Sequence, residues 1–125
     1  MAATNFHDEY TVALLSTVTV SMGGNATIYV TPTGKTLVPN AIIVRSCASG
    51  MALANNYNFG SLPSALGFVE GVSLIGLATT SYYQSIRNSN ATIYFNVPAG
   101  TGFGMANISG ATGVTAMMDL FGYLF

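Results

Sequence analysis

Asn25–Thr36 reads NATIYVTPTGKT, and half a chain later Asn90–Phe103 reads NATIYFNVPAGTGF. Both stretches open on the same five residues, alternate in polarity and run into a proline-glycine turn. In the first, Ile28 and Val30 are in phase, opposite Thr27, Tyr29 and Thr31. In the second, Ile93, Phe95 and Val97 share a face opposite Thr92, Tyr94 and Asn96. A period of two is the signature of a strand with one buried side. Two matching strand-turn units, one per half, predict a sandwich of two related antiparallel halves. Ala, Thr and Asn are abundant in this chain, so a five-residue identity suggests duplication without proving it. The repeat is too short for a solenoid.

Working outward, Glu9–Ser21 carries a β-rich run in which Val18 and Val20 alternate with Thr17, Thr19 and Ser21. Thr and Val content favours strand over helix there. Met22–Asn25 supplies turn residues that accept positive φ cheaply. Leu37–Cys47 reads as a strand whose Pro39 cannot donate to a ladder, which places an edge or a bulge near its start. Within it Ala41–Val44 is continuously apolar, consistent with burial on both sides. Met51, Leu53, Tyr57 and Phe59 are in phase for another strand, with Asn55-Asn56 a bulge or turn. Gly60–Leu77 is ambiguous: a short helical turn after Ser61 is weakened by Gly67 and Gly71, and Ser73–Thr79 reads as a strand. Tyr82–Ile86 reads as strand and Arg87–Asn90 as turn. The second NATIY strand and Phe103–Ile108 then make a hairpin. In the closing Thr112–Phe125, Val114, Ala116, Met118 and Leu120 alternate against Thr115, Met117, Asp119 and Phe121. About eight short strands with hardly any helix predict an all-β antiparallel sandwich, and two Greek keys would make it a jelly roll.

At 125 residues the chain is one domain with room for its own core. Met1–Asp8 reads as a short polar arm and residues 9–125 as the sandwich. Charged residues are 6% of the chain and hydrophobic residues 50%, against about 25% charged in ordinary soluble domains. Mean hydropathy is +0.51. The longest apolar candidate, Leu66–Ala78, is broken by Glu70 and two glycines, well short of the roughly 20 residues a membrane helix needs. With three basic and four acidic residues, most of the surface must be Ser, Thr, Asn, Gly and apolar side chains. Net charge near zero also favours association. The inference is a homo-oligomer or a part of a larger assembly.

The same scarcity excludes chemistry. Three scattered cations cannot form the basic patch that drives nucleic-acid binding. His7-Asp8-Glu9 is the one titratable cluster, and a metal site needs three or four convergent ligands. There is no second histidine or cysteine to complete one. A serine-histidine-aspartate arrangement would have to use a histidine placed in the arm, and no G-x-S-x-G elbow exists. TPTGKT lacks the leading glycine of a phosphate loop. Neither a catalytic site, a metal nor a cofactor is expected. Cys47, the one cysteine, closes the run AIIVRSC and reads as a small buried hydrophobe. Without a secretion signal at the N-terminus, the sequons at Asn25, Asn90 and Asn107 read as turn asparagines. Synthesis in the host cytosol is the expectation.

Arg45 and Asp119 lie inside otherwise apolar strands, where an isolated buried charge costs several kcal/mol. They either pair, within the fold or across a subunit boundary, or sit on a solvated sheet face. The terminal MMDLFGYLF must be a core or an interface strand, since left free it is an adhesive patch. Phe121, Tyr123 and Phe125 are its candidate anchors.

The closing ATGVTAMMDLFGYLF and the segment TPTGKTLVPNAIIVRS resemble small β-sandwich decoration, or cement, proteins of tailed-bacteriophage capsids. The resemblance implies a virion protein on the capsid surface, a homo-oligomer and often a trimer, seated on the major capsid protein. It implies no catalytic residues. Where such proteins bind by a terminal arm, Phe6, His7, Asp8 and Tyr10 are the capsid-contact candidates. Arg45, Asp119, Phe121, Tyr123 and Phe125 are the oligomer-interface candidates. The alternative is a tail-fibre head or lectin-like receptor-binding module, with Tyr82 and Tyr83 as stacking residues.

Overall fold

The computed structural model describes residues 12–48, 51, 54–77, 83–87, 95–110 and 114–125. Eight strands occupy them: β1 (Ala13–Ser21), β2 (Ala26–Val30), β3 (Leu37–Arg45), β4 (Asn56–Ser61), β5 (Leu66–Val72), β6 (Tyr83–Arg87), β7 (Gly102–Ser109) and β8 (Thr115–Leu124). No helix occurs among the described residues.

The pairing is nested. β1 pairs with β8, β2 with β7, β3 with β6 and β4 with β5, all antiparallel. The chain is thus a ribbon of two antiparallel halves bent at the β4–β5 turn. The ribbon rolls until β3 also meets β8 and β4 also meets β7. The result is two four-stranded sheets, β1-β8-β3-β6 and β2-β7-β4-β5, which is the strand order of a jelly roll.

Between the sheets lies a core of alternate residues. Ile42, Val44, Met118 and Leu120 come from one sheet; Tyr57, Phe59, Phe103 and Met105 come from the other. Phe103 sets its ring edge against Phe68, centroids 5.5 Å apart at 80°, and Phe95 packs beside both. The buried Tyr57 hydroxyl donates to the Met22 carbonyl at 2.9 Å, which keeps a polar tip paired at no cost to packing. Cys47 is fully buried, as its sequence context predicts.

Bulges set where the alternation changes phase. In β1, Leu14 faces Phe121 and Ser16 faces Leu120, so Leu15 is an extra residue. In β3, Pro39 faces Gly122 and Ala41 faces Phe121, which makes Asn40 the extra one. The bulge predicted beside Pro39 is there, in a strand flanked by β8 throughout and by β6 from Ala41 onward. In β2 the extra residue is Ile28.

Three expectations are corrected. Val30 is exposed instead of sharing the buried face of Ile28, because the Ile28 bulge shifts the phase by one residue and turns Thr31 inward. Ile43 is only half-buried, since the outward face of β3 has no second sheet over it. Leu66–Val72 is a strand, while Ser73–Leu77 is turn and irregular chain. There, the Leu74 amide donates to the Asn55 side chain at 2.6 Å. The hairpin expected of the second NATIY strand with Phe103–Ile108 involves residues 90–94, which lie outside the described residues; over Gly102–Met105 one edge of β7 is held by β2, and from Phe103 onward the other is held by β4. Val97 bridges to Leu37 through two backbone hydrogen bonds of 2.8 and 2.9 Å. The repeated pentapeptide at 90–94 and the arm at 1–8 lie outside the described residues.

Candidate interaction face

Cross-strand partners share a face of a sheet, so the register gives the outward surface of β1-β8-β3-β6 row by row. One row runs Leu14, Phe121, Ala41, Arg87. The next runs Thr17, Asp119, Ile43, Ser85, and the third Thr19, Met117, Arg45, Tyr83. Beyond the first row, Val38 faces Tyr123, whose ring lies 6.5 Å from that of Phe125. Leu14 and Tyr83 are 55% and 68% exposed. The surface thus mixes aliphatic and aromatic side chains with Thr17, Thr19, Ser85 and Arg87, and carries one ion pair at its centre.

That pair is Arg45 and Asp119. Arg45 Nε donates to Asp119 Oδ2 at 2.7 Å and Nη2 to Oδ1 at 3.2 Å, a two-pronged contact between neighbouring strands. The Thr17 hydroxyl adds a bond to Oδ1 at 2.8 Å, and Arg45 Nη1 leans on the Met117 sulfur at 3.7 Å. Forked guanidinium-carboxylate geometry fixes both side chains and cancels both charges. The hydrogen bond from Arg45 holds the Asp119 carboxyl below its ordinary value; partial burial opposes this, and the Thr17 bond and the guanidinium charge reinforce it. The bond to Asp119 likewise raises Arg45. The two residues pair within the fold and do so on the outward face of the sheet.

Across the first row runs a groove lined by Val12, Asn40, Ala41, Ile43, Ser85, Arg87 and Phe121. Arg87 reaches Asn40 Oδ1 at 3.4 Å. Glu70 is remote from this face, on β5, where it accepts from the Gly67 amide at 3.3 Å.

The five predicted interface residues are thus brought together on one sheet. Arg45, Asp119, Phe121 and Tyr123 project outward from β3 and β8, and Phe125 follows directly, 43% exposed. Phe6, His7, Asp8, Tyr10 and Tyr82 lie outside the described residues. The structure adds Val12, Leu14, Ile43, Met117 and Tyr83 to the face. Simple alternation extended back from Val18 and Val20 would have buried Leu14; the Leu15 bulge reverses it. The signal available in sequence was the Leu14-Leu15 doublet, which breaks strict alternation. Among the described residues no group of three or more potential metal ligands occurs.

No family model and no curated protein sequence matches the chain. Among solved structures the chain is similar to one titled "Cyanophage Pam1 capsid asymmetric unit". The two are 12% identical with a TM-score of 0.49, over 92% of this chain and 86% of that one. A likeness at that level carries no functional argument.

Proposed function

We propose that this chain is a structural protein of a virion, a decoration or cement protein that assembles as a homo-oligomer, a trimer in the simplest case, on the major capsid protein. The observation that carries the reading is the outward face of β1-β8-β3-β6. Its central charges, Arg45 and Asp119, cancel each other within the chain, and Tyr83, Phe121, Tyr123 and Phe125 lie on its outward side. Exposed apolar patches of this kind mark protein contacts. Jelly rolls serve both capsid and lectin roles, so the fold alone does not choose between them; the face favours protein contact over sugar binding. The mechanism is mechanical: a bridge between neighbouring capsomers buries area that internal pressure would otherwise separate. Residues 1–8, with Tyr10, supply the capsid contact in this reading, and the role asks for no catalysis.

Light scattering on the purified protein is the first test, with a closed oligomer the expected result. Capsid binding follows, comparing the full chain with a form lacking Met1–Asp8. The truncated form should fold and attach more weakly; equal attachment removes the arm from the mechanism. A soluble monomer that binds no capsid but binds a glycan in the low micromolar range would instead establish the lectin-like alternative.

A further inference from the structure

We propose that the groove on the outward face of β1-β8-β3-β6 receives β5 of a second copy of this chain, with Arg87 of one copy facing Glu70 of the next. The inference rests on the homo-oligomer reading above and names the contact that builds the oligomer.

Charge carries it. Five charged side chains fall among the described residues: Lys35, Arg45, Glu70, Arg87 and Asp119. Arg45 and Asp119 neutralise each other, and among the described residues no ion pair takes up the other three. Arg87 is exposed at the groove, and its side-chain partner there is the neutral Asn40 at 3.4 Å. Ile43 and Phe121 line the same groove. A carboxylate reaching Arg87 there is shielded from water on one side, so the attraction is stronger than on an open surface. Lys35, by contrast, is exposed in the turn between β2 and β3. Glu70 is the one exposed acid among the described residues. Its Oε2 accepts from the Gly67 amide at 3.3 Å, which leaves Oε1 for a cation.

Shape agrees. The groove holds about 250 Å³, room for side chains of an adjoining strand. β5 is the last strand of its sheet, and along it Leu66, 46% exposed, and Glu70 reach solvent. Leu66 suits the apolar floor and Glu70 the Arg87 end. Gly67 and Gly71 add no side chain that would hold the strand off.

Symmetry follows from topology. Groove and β5 belong to opposite sheets, so a copy that lends its β5 to one neighbour keeps its own groove for another. A head-to-tail contact of this kind closes into a ring of three or more, or runs on as a filament.

The test is sedimentation and light scattering on the full chain, with circular dichroism to check each fold. Arg87→Glu and Glu70→Arg should each weaken self-association by at least about tenfold, because like charges then face each other. The double variant should regain the parent's assembly. Lys35→Glu changes net charge as Arg87→Glu does and should leave assembly unaltered. Single reversals without effect, a double variant that stays dissociated, or a Lys35→Glu loss equal to that of Arg87→Glu overturns this contact and leaves the homo-oligomer reading standing. A parent that is a closed dimer overturns the head-to-tail order. A monomeric parent removes the homo-oligomer reading itself, and this contact with it.

Discussion

Arg45 and Asp119, 74 residues apart in the chain, meet diagonally across β3 and β8 with Nε and Oδ2 2.7 Å apart. The pair is half open to solvent on the arginine side, 38% against 13% for the aspartate. Solvent screening therefore keeps its worth small. Its pH dependence has a definite sign. Asp119 titrates lower in the folded chain than its ordinary 3.8, so its contribution is complete above about pH 4 and is lost as pH falls through the lower folded value. Asp119→Asn should lower stability at neutral pH by about 1 kcal/mol and remove that acid-side loss. Urea midpoints at pH 7 and near pH 2 check both statements; equal differences at the two pH values would contradict them.

Tyr57 gives the alkaline counterpart. Burial, with a smaller effect of Cys47, pushes its phenol up to about 12 from 10.0. The unfolded chain ionises first, so stability is full below pH 10 and declines between 10 and 12. Tyr57→Phe should cost about 1 kcal/mol at neutral pH through the lost bond to the Met22 carbonyl. That carbonyl keeps a bond from Asn107 Nδ2 at 2.6 Å, which holds the loss near the low end. Above pH 10 the variant should lose less stability than the parent. Parallel decline of the two would place the ionising group elsewhere.

Cys47 is fully buried, and burial raises its thiol. The thiolate is the reactive form. A thiol reagent should therefore modify it only at the rate of unfolding, with rapid stoichiometric reaction in denaturant. Quick labelling of native protein would show that the β3 end opens locally.

Gly67 has φ of +105, and a Cβ there would stand 2.6 Å from Phe95 Cε1. Gly67→Ala should cost roughly 1–3 kcal/mol, combining backbone strain with displacement of the ring. The Phe68, Phe95 and Phe103 cluster should lose definition with it, read as a weaker near-ultraviolet aromatic circular dichroism signal. A thermal midpoint unchanged from the parent would refute the packing argument.

On the outward face, Phe121→Lys should leave the sandwich folded but weaken self-association by at least about tenfold, as loss of an aromatic anchor does. Sedimentation across a concentration series reads the change, and circular dichroism confirms the fold. An unaltered oligomer would move the contact off this sheet.

The fold class was legible because alternation is strongest where one face is buried, as in Val18 and Val20 or Ala116 to Leu120. The repeated pentapeptide correctly located a strand at β2 but misassigned Val30, since the bulge at Ile28, unlike the one beside Pro39, is marked by no residue type. Leu14 was hidden for the same reason. Gly60–Leu77 resisted reading because its strand is built on glycines, Gly67 and Gly71, that weaken every pattern. The ion pair could be expected only as alternatives: a charge in an apolar strand demands a partner, but sequence does not say which strand lies beside it. Nesting of the strands is equally invisible, since pairing of β1 with β8 is a long-range choice made by the whole core.

That nesting orders events in time. Ala13 finds its partner only in Gly122, and β3 cannot complete its sheet until β8 is laid between it and β1. Pairings so distant along the chain form slowly, and here β8, made after the seven strands before it, is also the one that carries the centre of the outward face. A chain lacking β8 therefore lacks the outward face of β1-β8-β3-β6. Topology thus couples the two: the outward face comes into existence only together with the completed sandwich.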